Sequence, residues 1–328
     1  MNYQEAESAF TELFEHKLND EQMRDFLVSM KLDASTSVEE LAAAASVMRS
    51  YAVELPLEEE LRPLLLDVVG TGGDKIGSFN ISSTVSLLCA SAGAYVAKHG
   101  SRSVTSKSGS ADMFESLGVR LDLDLQQSAR LLEETGFTFM FAQNHHPAMK
   151  FIMPVRKSIS DKTVFNVLGP LTNPAGVKKT MLGVFDKVFV PKIAKALELN
   201  GSTSALLVSS KEGMDEISIS DITYAARLDA SGIKEFEIDP QEFGIKRVPL
   251  EAIVGGDAVF NAQILHNIFN NTATDAQRDI VLINAATSLM VDGMARDIQD
   301  GLEIAREMLA SKKALEKLKE IIKVSSLL

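Results

Sequence analysis

The stretch "DVVGTGGDKIGSFN", Asp67 to Asn80, decides how the rest of the chain is read. A short apolar run from Leu64 stops at Gly70, three glycines (Gly70, Gly72, Gly73) follow within four positions, and Asp74 comes directly after them. A strand that ends on glycines can turn sharply and bring bare N–H groups against an anion. The spacing is neither G-x-G-x-x-G nor the P-loop pattern ending in G-K-[ST], so neither a standard dinucleotide nor a standard nucleoside-triphosphate signature applies. Asp74 would repel a bare phosphate and suits sugar hydroxyls or metal-bound water. Taken alone, the stretch reads equally as a plain tight turn between a strand and a helix.

Working outward, the two sides of this turn differ. Residues 1–64 read as helices: Phe10, Leu13, Phe14 and Leu18 recur at helical spacing, Asn19 with Gln22 and Ser37 with Glu40 are capping-box patterns, and Pro56 and Pro63 close the region. From Leu65 onward short apolar runs alternate with helical stretches. Strands are predicted at 65–69, 94–97, 138–141, 181–185, 205–209 and 224–228. Helices are predicted at 85–93, 126–135 and 188–199, and later at 257–269, 274–291 and 296–309. An exposed amphipathic helix is predicted over the lysine-rich end. Such alternation implies an α/β fold with a largely parallel sheet, whose strand-to-helix loops line one edge. The boundary falls at 64/65, giving a helical unit 1–64 and an α/β unit 65–328.

The chain has 328 residues, 45% of them hydrophobic, and a net charge of −12. That charge opposes binding to nucleic acid or an anionic membrane. One cysteine, Cys89, excludes an intrachain disulfide and suits a reducing compartment. The N-terminus lacks a basic segment followed by an apolar one, and no run of 18 apolar residues occurs, so a cytoplasmic location is expected.

In so acidic a chain, an anionic ligand needs a local cluster of cations or backbone N–H groups. "KHGSRSVTSKSGSAD", Lys98 to Asp112, is such a cluster, with Lys98, His99, Arg102 and Lys107 interleaved among six hydroxyls. "NHHPAMKFIMPVRKS", Asn144 to Ser158, opens a helix at Pro147 that carries Lys150 and Arg156. Arg156 reads as a partner for a carboxylate or as an exposed helix charge. In "KEGMDEISISD", Lys211 to Asp221, the adjacent acids Asp215 and Glu216 suit a hard cation, above all Mg²⁺, or a solvated surface. His145 and His146 lack a third nearby ligand for zinc.

In order and spacing, "GTGGD", "FNIS", the Lys98–Asp112 loop, "HPAMK", "FNVLGPLTNPA" and "MDE" resemble the anthranilate phosphoribosyltransferase family, from about residue 5 to residue 310. The resemblance implies a nucleoside-phosphorylase/phosphoribosyltransferase-type fold. It further implies that a small helical domain, joined by a central segment near 158–180, packs on a larger α/β domain with a mostly parallel sheet, and that the chain forms a homodimer. It implies transfer of the phosphoribosyl group of 5-phosphoribosyl 1-pyrophosphate to anthranilate, a step of tryptophan biosynthesis, with Mg²⁺ as cofactor and no nucleic-acid partner.

By the same resemblance, Gly70, Gly73, Asp74, Ser78, Asn80, Ile81, Ser82 and Ser83 contact pyrophosphate and ribose. Lys98, His99, Gly100, Ser101, Arg102, Ser103, Val104, Thr105, Ser106 and Ser110 form the phosphate clamp. Ser82, Asp215 and Glu216 hold the metal. Gly70, Ser101, His146 and Arg156 meet anthranilate. The family's KHGNR reads Lys98-His99-Gly100-Ser101-Arg102 here, N-I-S-T reads Asn80-Ile81-Ser82-Ser83, and L-G-x-R-T reads Ile159-Ser160-Asp161-Lys162-Thr163. The first and third departures fall on the acceptor side. The alternatives are a pyrimidine nucleoside phosphorylase on the same fold and a non-catalytic relative that binds nucleic acid through the Lys98–Lys107 loop.

Overall fold

The computed structural model describes residues 1–103 and 107–328. Three helices open the chain, each begun by a side chain that takes over backbone N–H groups the helix leaves unpaired. Asn2 with Glu5 caps α1 (Tyr3–Phe14), Asn19 with Gln22 caps α2 (Asp20–Ser29), and Ser37 with Glu40 caps α3 (Val38–Ser50), all reciprocally. Their apolar faces bury Phe10, Leu13, Phe14, Leu27 and Leu41.

The α/β part then runs β1 (Leu65–Gly70), α4 (Ile81–Ala92), β2 (Tyr95–Gly100), α5 (Ser110–Ser116), α6 (Leu125–Thr135), β3 (Phe137–Phe141), α7 (Ala142–His145), α8 (Met149–Lys157), α9 (Phe165–Leu168), β4 (Lys179–Gly183), α10 (Val190–Leu199), β5 (Ser204–Ser210), β6 (Thr223–Asp229), β7 (Gly232–Ile238), α11 (Ala258–Phe269), α12 (Asp275–Asp292), α13 (Ile298–Ala310) and α14 (Lys313–Leu327). Among the described residues the strands form one sheet in the order β3-β2-β1-β4-β5-β6-β7. β1 to β5 are parallel; β6 and β7 return antiparallel.

Successive strand residues point to opposite faces, so one strand feeds two cores. Leu206 and Val208 of β5 join the core under α4 and α12, while Ala205 and Leu207 join the core shared with α1–α3 and α10. The short segment at 164–171 belongs to that second core: Val164, Phe165, Val167, Leu168 and Leu171 pack among the N-terminal helices. Backbone pairing ties it there, with the Val164 N–H donating to the Met30 carbonyl at 3.0 Å and the Leu32 N–H to the Lys162 carbonyl at 2.9 Å.

Two expectations need adjustment. The sequence predicts no seventh strand, yet β7 pairs along β6 from Gly232 to Ile238. It is an edge strand with exposed Lys234, Glu235 and Glu237 and a single buried residue, Ile238. Charges blunt an edge against further pairing and also erase the apolar alternation by which a strand is recognised. The C-terminal helix α14 is not simply exposed: Ala314, Leu318 and Ile321 are buried on the side facing α4 and α6. Among the described residues, no helix is long and apolar enough to cross a membrane.

Strand order reverses between β1 and β4. In open parallel sheets a crevice for ligands lies at such a point, outside the carboxyl ends of the strands.

Candidate active site

The four loops picked out by chemistry all leave the carboxyl ends of parallel strands. Residues 71–80 follow β1, the Ser101–Gly109 loop follows β2, the two histidines and α8 follow β3, and the Asp215–Glu216 loop follows β5.

At the first loop, Gly72 and Gly73 adopt φ of +68° and +77°, a left-handed pair that side chains with a Cβ resist. The Gly72 N–H donates to Asp215 Oδ2 at 2.7 Å. A carboxylate thus already sits against the bare turn. Farther along, Ser78 bridges Val254, and the Phe79 N–H donates to the Ile253 carbonyl at 3.2 Å. Asp74 Oδ1 accepts from the Ile76 N–H.

Asn80 opens α4, and its side chain joins two loops. Nδ2 donates to the Ser108 carbonyl at 3.3 Å, while Oδ1 accepts from Ser108 Oγ at 3.2 Å and from Asn261 Nδ2 at 2.8 Å. Asn261, on α11, carries no sequence signal of this role. Ile81 and Ser83 lie in the first turn of α4 with their side chains buried. The Ser82 N–H donates to Glu216 Oε1 at 3.0 Å.

Asp215 and Glu216 therefore bring two carboxylates between the glycine turn and the positive end of a helix. Their approach has a backbone cause. A Cβ on Gly183, at the end of β4, would lie 1.6 Å from the Asp215 carbonyl oxygen, and one on Gly70 would lie 2.3 Å from Asp215 Oδ2. Gly183 must be glycine for the acidic loop to cross β4, while at Gly70 the conflict is with the end of the Asp215 side chain. Burial, then the neighbouring Asp74, pushes the Asp215 carboxyl up to about 7. Burial and then Asp215 push Glu216 well above the usual carboxylate range. Among the described residues no group of three or more His, Cys, Asp or Glu side chains has metal-binding geometry. A cation here would be offered the Asp215 and Glu216 carboxylates and the Ser82 hydroxyl. That all-oxygen, incomplete set is what Mg²⁺ takes when water and phosphate complete its shell.

Lys98, His99 and Gly100, expected in the second loop, end β2 instead; Lys98 is buried and its Nζ donates to the Val68 carbonyl at 2.5 Å and to Ser82 Oγ at 3.3 Å. His99, also buried, donates its N–H to Asp67 Oδ1 at 3.4 Å, and its Nδ1 pairs with the Gly169 carbonyl. Asp67, which no motif flagged, lies wholly inside the sheet, where its Oδ2 accepts from Asn173 Nδ2 at 2.8 Å. Gly100 ends β2, and Ser101 is exposed. Arg102 is engaged: its guanidinium grips both Glu115 oxygens at 2.6 Å and Asp112 at 3.0 Å. The Ser103 and Gly109 N–H groups both donate to Asp112 Oδ2, and Ser110 Oγ donates to the Ser101 carbonyl. Val104, Thr105 and Ser106 lie outside the described residues.

The third loop turns inward to the helical layer. His145 Nδ1 pairs with the Val53 carbonyl at 2.7 Å. The buried His146 ring lies 5.2 Å from that of His99. His99 Nε2 and both ring nitrogens of His146 have no hydrogen-bond partner among the described residues. Arg156, in the last turn of α8, lies 5.8 Å from the Phe165 ring centroid and touches the Met153 sulfur. Burial alone acts on its pKa, and it lowers it. Among the described residues, the half-buried Arg156 guanidinium has no carboxylate partner, and His99 and His146 leave ring nitrogens idle; such groups call for a ligand or water.

Burial first, then the neighbouring histidines, hold His99 at about 3 and His146 at about 4. A depressed histidine pKa contributes stability that is complete above the ordinary value of 6.5 and is lost as pH falls toward the folded value. At 1.36 kcal/mol per unit, His146 accounts for about 3 kcal/mol at most over that window. Asp67, raised to about 6 by burial against the pull of Lys98, acts with the opposite sign: its contribution is lost as pH rises. The single substitution His146→Phe isolates the histidine. Melting curves are expected to show the variant gaining on the unsubstituted chain as pH falls from 6.5 to about 4. A pH-independent difference would count against a neutral buried His146.

Residues 62–315 match the family described as "Glycosyl transferase family, a/b domain", and residues 1–52 match its "helical bundle domain". The chain is 42% identical to an anthranilate phosphoribosyltransferase of Persephonella marina, covering 97% of this chain and 94% of that one. It is 45% identical to the one of Xanthobacter autotrophicus, covering 98% and 92%. The chain belongs to the anthranilate phosphoribosyltransferase family. Among solved members, the Thermus thermophilus enzyme superposes with a TM-score of 0.91 at 35% identity, covering 99% of this chain and 96% of that one. The Saccharomyces cerevisiae member, determined in complex with PRPP and Mg, superposes at 0.89 with 27% identity, covering 100% and 94%. A small helical part on a larger α/β part with a mostly parallel sheet is thus the architecture of this anthranilate phosphoribosyltransferase family member, as its sequence implies.

Proposed function

We propose that the chain transfers the phosphoribosyl group of 5-phosphoribosyl 1-pyrophosphate to the amine of anthranilate, releasing pyrophosphate, in tryptophan biosynthesis. The observation that carries this reading is the meeting of two acids with an anion-binding turn, Asp215 at the Gly72 N–H and Glu216 at the Ser82 N–H. Metal-bridged diphosphate is a ligand that needs both kinds of group at one place.

Asp215, Glu216 and Ser82 would hold Mg²⁺. When bound, the ion neutralises charge that builds on the departing diphosphate. Gly70, Gly73, Asp74, Ser78, Asn80, Ile81 and Ser83 line the sugar diphosphate. Lys98, His99, Gly100, Ser101, Ser103 and Ser110 would meet its phosphates, joined by Arg102 once it exchanges its bonds to Glu115 and Asp112. The amine attacks C1, the C1–O bond breaks, the diphosphate leaves with the bonding pair, and the new ammonium loses a proton. No enzyme nucleophile is required; positioning and charge stabilisation do the work. Gly70, Ser101, His146 and Arg156 face the acceptor, with Arg156 on its carboxylate.

The reading also keeps residues 1–64 and the segment near 158–180 as one helical unit against 65–328. It takes the chain to be a cytoplasmic homodimer.

The Arg156→Ala chain is expected to show an anthranilate KM raised about 10- to 100-fold, the loss of one charge-assisted hydrogen-bonded pair, with little change toward the sugar diphosphate. Equal effects on both substrates would remove Arg156 from the acceptor site. The function is tested by mixing the protein with anthranilate, Mg²⁺ and 5-phosphoribosyl 1-pyrophosphate. Anthranilate fluorescence should decay only when all three are present, with pyrophosphate released in equal amount. Phosphorolysis of uridine or thymidine in place of that reaction would favour the nucleoside phosphorylase instead.

A further inference from the structure

Lys162, a residue the sequence places on the acceptor side, touches the glycine turn. Its backbone is fastened to the helical layer: its carbonyl accepts from the Leu32 N–H at 2.9 Å, and the adjacent Thr163 bridges Lys31. Its side chain reaches the other way. Nζ donates to the Gly73 carbonyl at 3.3 Å and stands 3.2 Å from the centroid of the Phe185 ring. Phe185 follows β4, and its N–H donates to Thr71 Oγ1 at 3.2 Å. One ammonium thus spans from the helical layer to the ends of β1 and β4, the pair of strands between which the sheet order reverses.

The contacts that hold this ammonium do not neutralise it. A carbonyl and an aromatic face are both exchangeable partners for a cation. Among the described residues Lys162 forms no ion pair, although the carboxylates of Asp186, Asp74 and Asp215 face it, with the Lys75 ammonium opposing. Two cations of β2 and the loop after it are more firmly engaged. Arg102 holds two carboxylates, and Lys98 is buried on the Val68 carbonyl and Ser82 Oγ. An anion lying on Gly72 and Gly73 would meet Lys162 without first breaking an ion pair.

We propose that Lys162 is a phosphate-binding residue of the transfer reaction: its ammonium leaves the Phe185 ring and the Gly73 carbonyl for an oxygen of the diphosphate on the glycine turn, joining helical layer and sheet over the bound sugar. The inference rests on the transferase reading above. Because Lys162 is anchored in one wall of the cleft and the turn belongs to the other, the bond also draws the two walls together.

The test uses the full chain with Lys162→Met and Lys162→Arg, and inorganic pyrophosphate with Mg²⁺ as the calorimetric probe. The unsubstituted chain should bind the probe, and Lys162→Met should bind it about 10- to 100-fold more weakly, as for one lost charge-assisted hydrogen bond. The KM for the sugar diphosphate should rise by a similar factor while that for anthranilate changes less than about threefold. Lys162→Arg should recover most of the loss. Unchanged pyrophosphate affinity in Lys162→Met overturns the proposal. So does an equal loss toward both substrates with a lowered melting temperature, which would mean that the lysine only holds the layers together. If the unsubstituted chain binds no pyrophosphate, the transferase reading fails first, and this inference with it.

Discussion

A Gly183→Ala chain is expected to fold and to lose about 100-fold or more in kcat/KM, the scale of effect when reacting groups are misplaced by about 1 Å. The added Cβ would lie 1.6 Å from the Asp215 carbonyl oxygen and 2.3 Å from its carbon, so one of the two must move. β4 cannot give way readily. It is bonded to β1 on one side and β5 on the other, and Leu182 and Val184 flank Gly183 in the buried core. The acidic loop is the part that yields, and with it Asp215 leaves the Gly72 N–H and Glu216 leaves the Ser82 N–H. Steady-state kinetics with a magnesium titration checks this. The variant should need more magnesium for half-maximal rate while melting within about 2 °C of the unsubstituted chain, the scale of roughly 1 kcal/mol. Activity within a few-fold of normal would show that the loop's position does not matter. Gly70→Ala should be milder, since its Cβ would meet the movable end of the Asp215 side chain.

The second large effect is that of Asp215→Asn. An amide can still present an oxygen to the Gly72 N–H at the 2.7 Å position, so the turn keeps its shape and the charge alone is removed. Loss of one carboxylate proposed to hold magnesium should lower magnesium-dependent turnover by roughly 100- to 1,000-fold, several kcal/mol of stabilisation at the departing diphosphate. Stability should hold or rise, because a half-buried charge beside Asp74 and Glu216 disappears. Glu216→Gln should act in the same direction. A magnesium titration unchanged in both variants would take these residues out of the site.

Much of this was legible in the sequence, for identifiable reasons. The glycine turn, the Lys98–Asp112 loop and the acid pair each follow an apolar run that becomes a parallel strand. Parallel connectivity then brings the three to one edge without further instruction. The capping boxes at Asn19 and Ser37 were equally readable, since a cap is a contact across three residues. What stayed hidden depends on contacts between distant parts of the chain. Gly183 matters because Asp215 crosses it, Asn261 because Asn80 reaches it, and Lys162 because its backbone joins one layer and its ammonium the other. β7 was invisible because its exposed charges mask the alternation and its identity comes from pairing with β6. Arg102 read as a cation waiting for phosphate. The acids that hold it, Asp112 and Glu115, stand on the helix after the loop, where no local pattern links them to it.

The most direct measurement is a calorimetric titration of 5-phosphoribosyl 1-pyrophosphate into the protein, with and without Mg²⁺. One sugar diphosphate should bind per chain when magnesium is present and far more weakly when it is withheld, since the glycine turn and the acid pair act on the same ligand. Absence of binding in magnesium, or equal binding without it, would contradict a site built from those two elements.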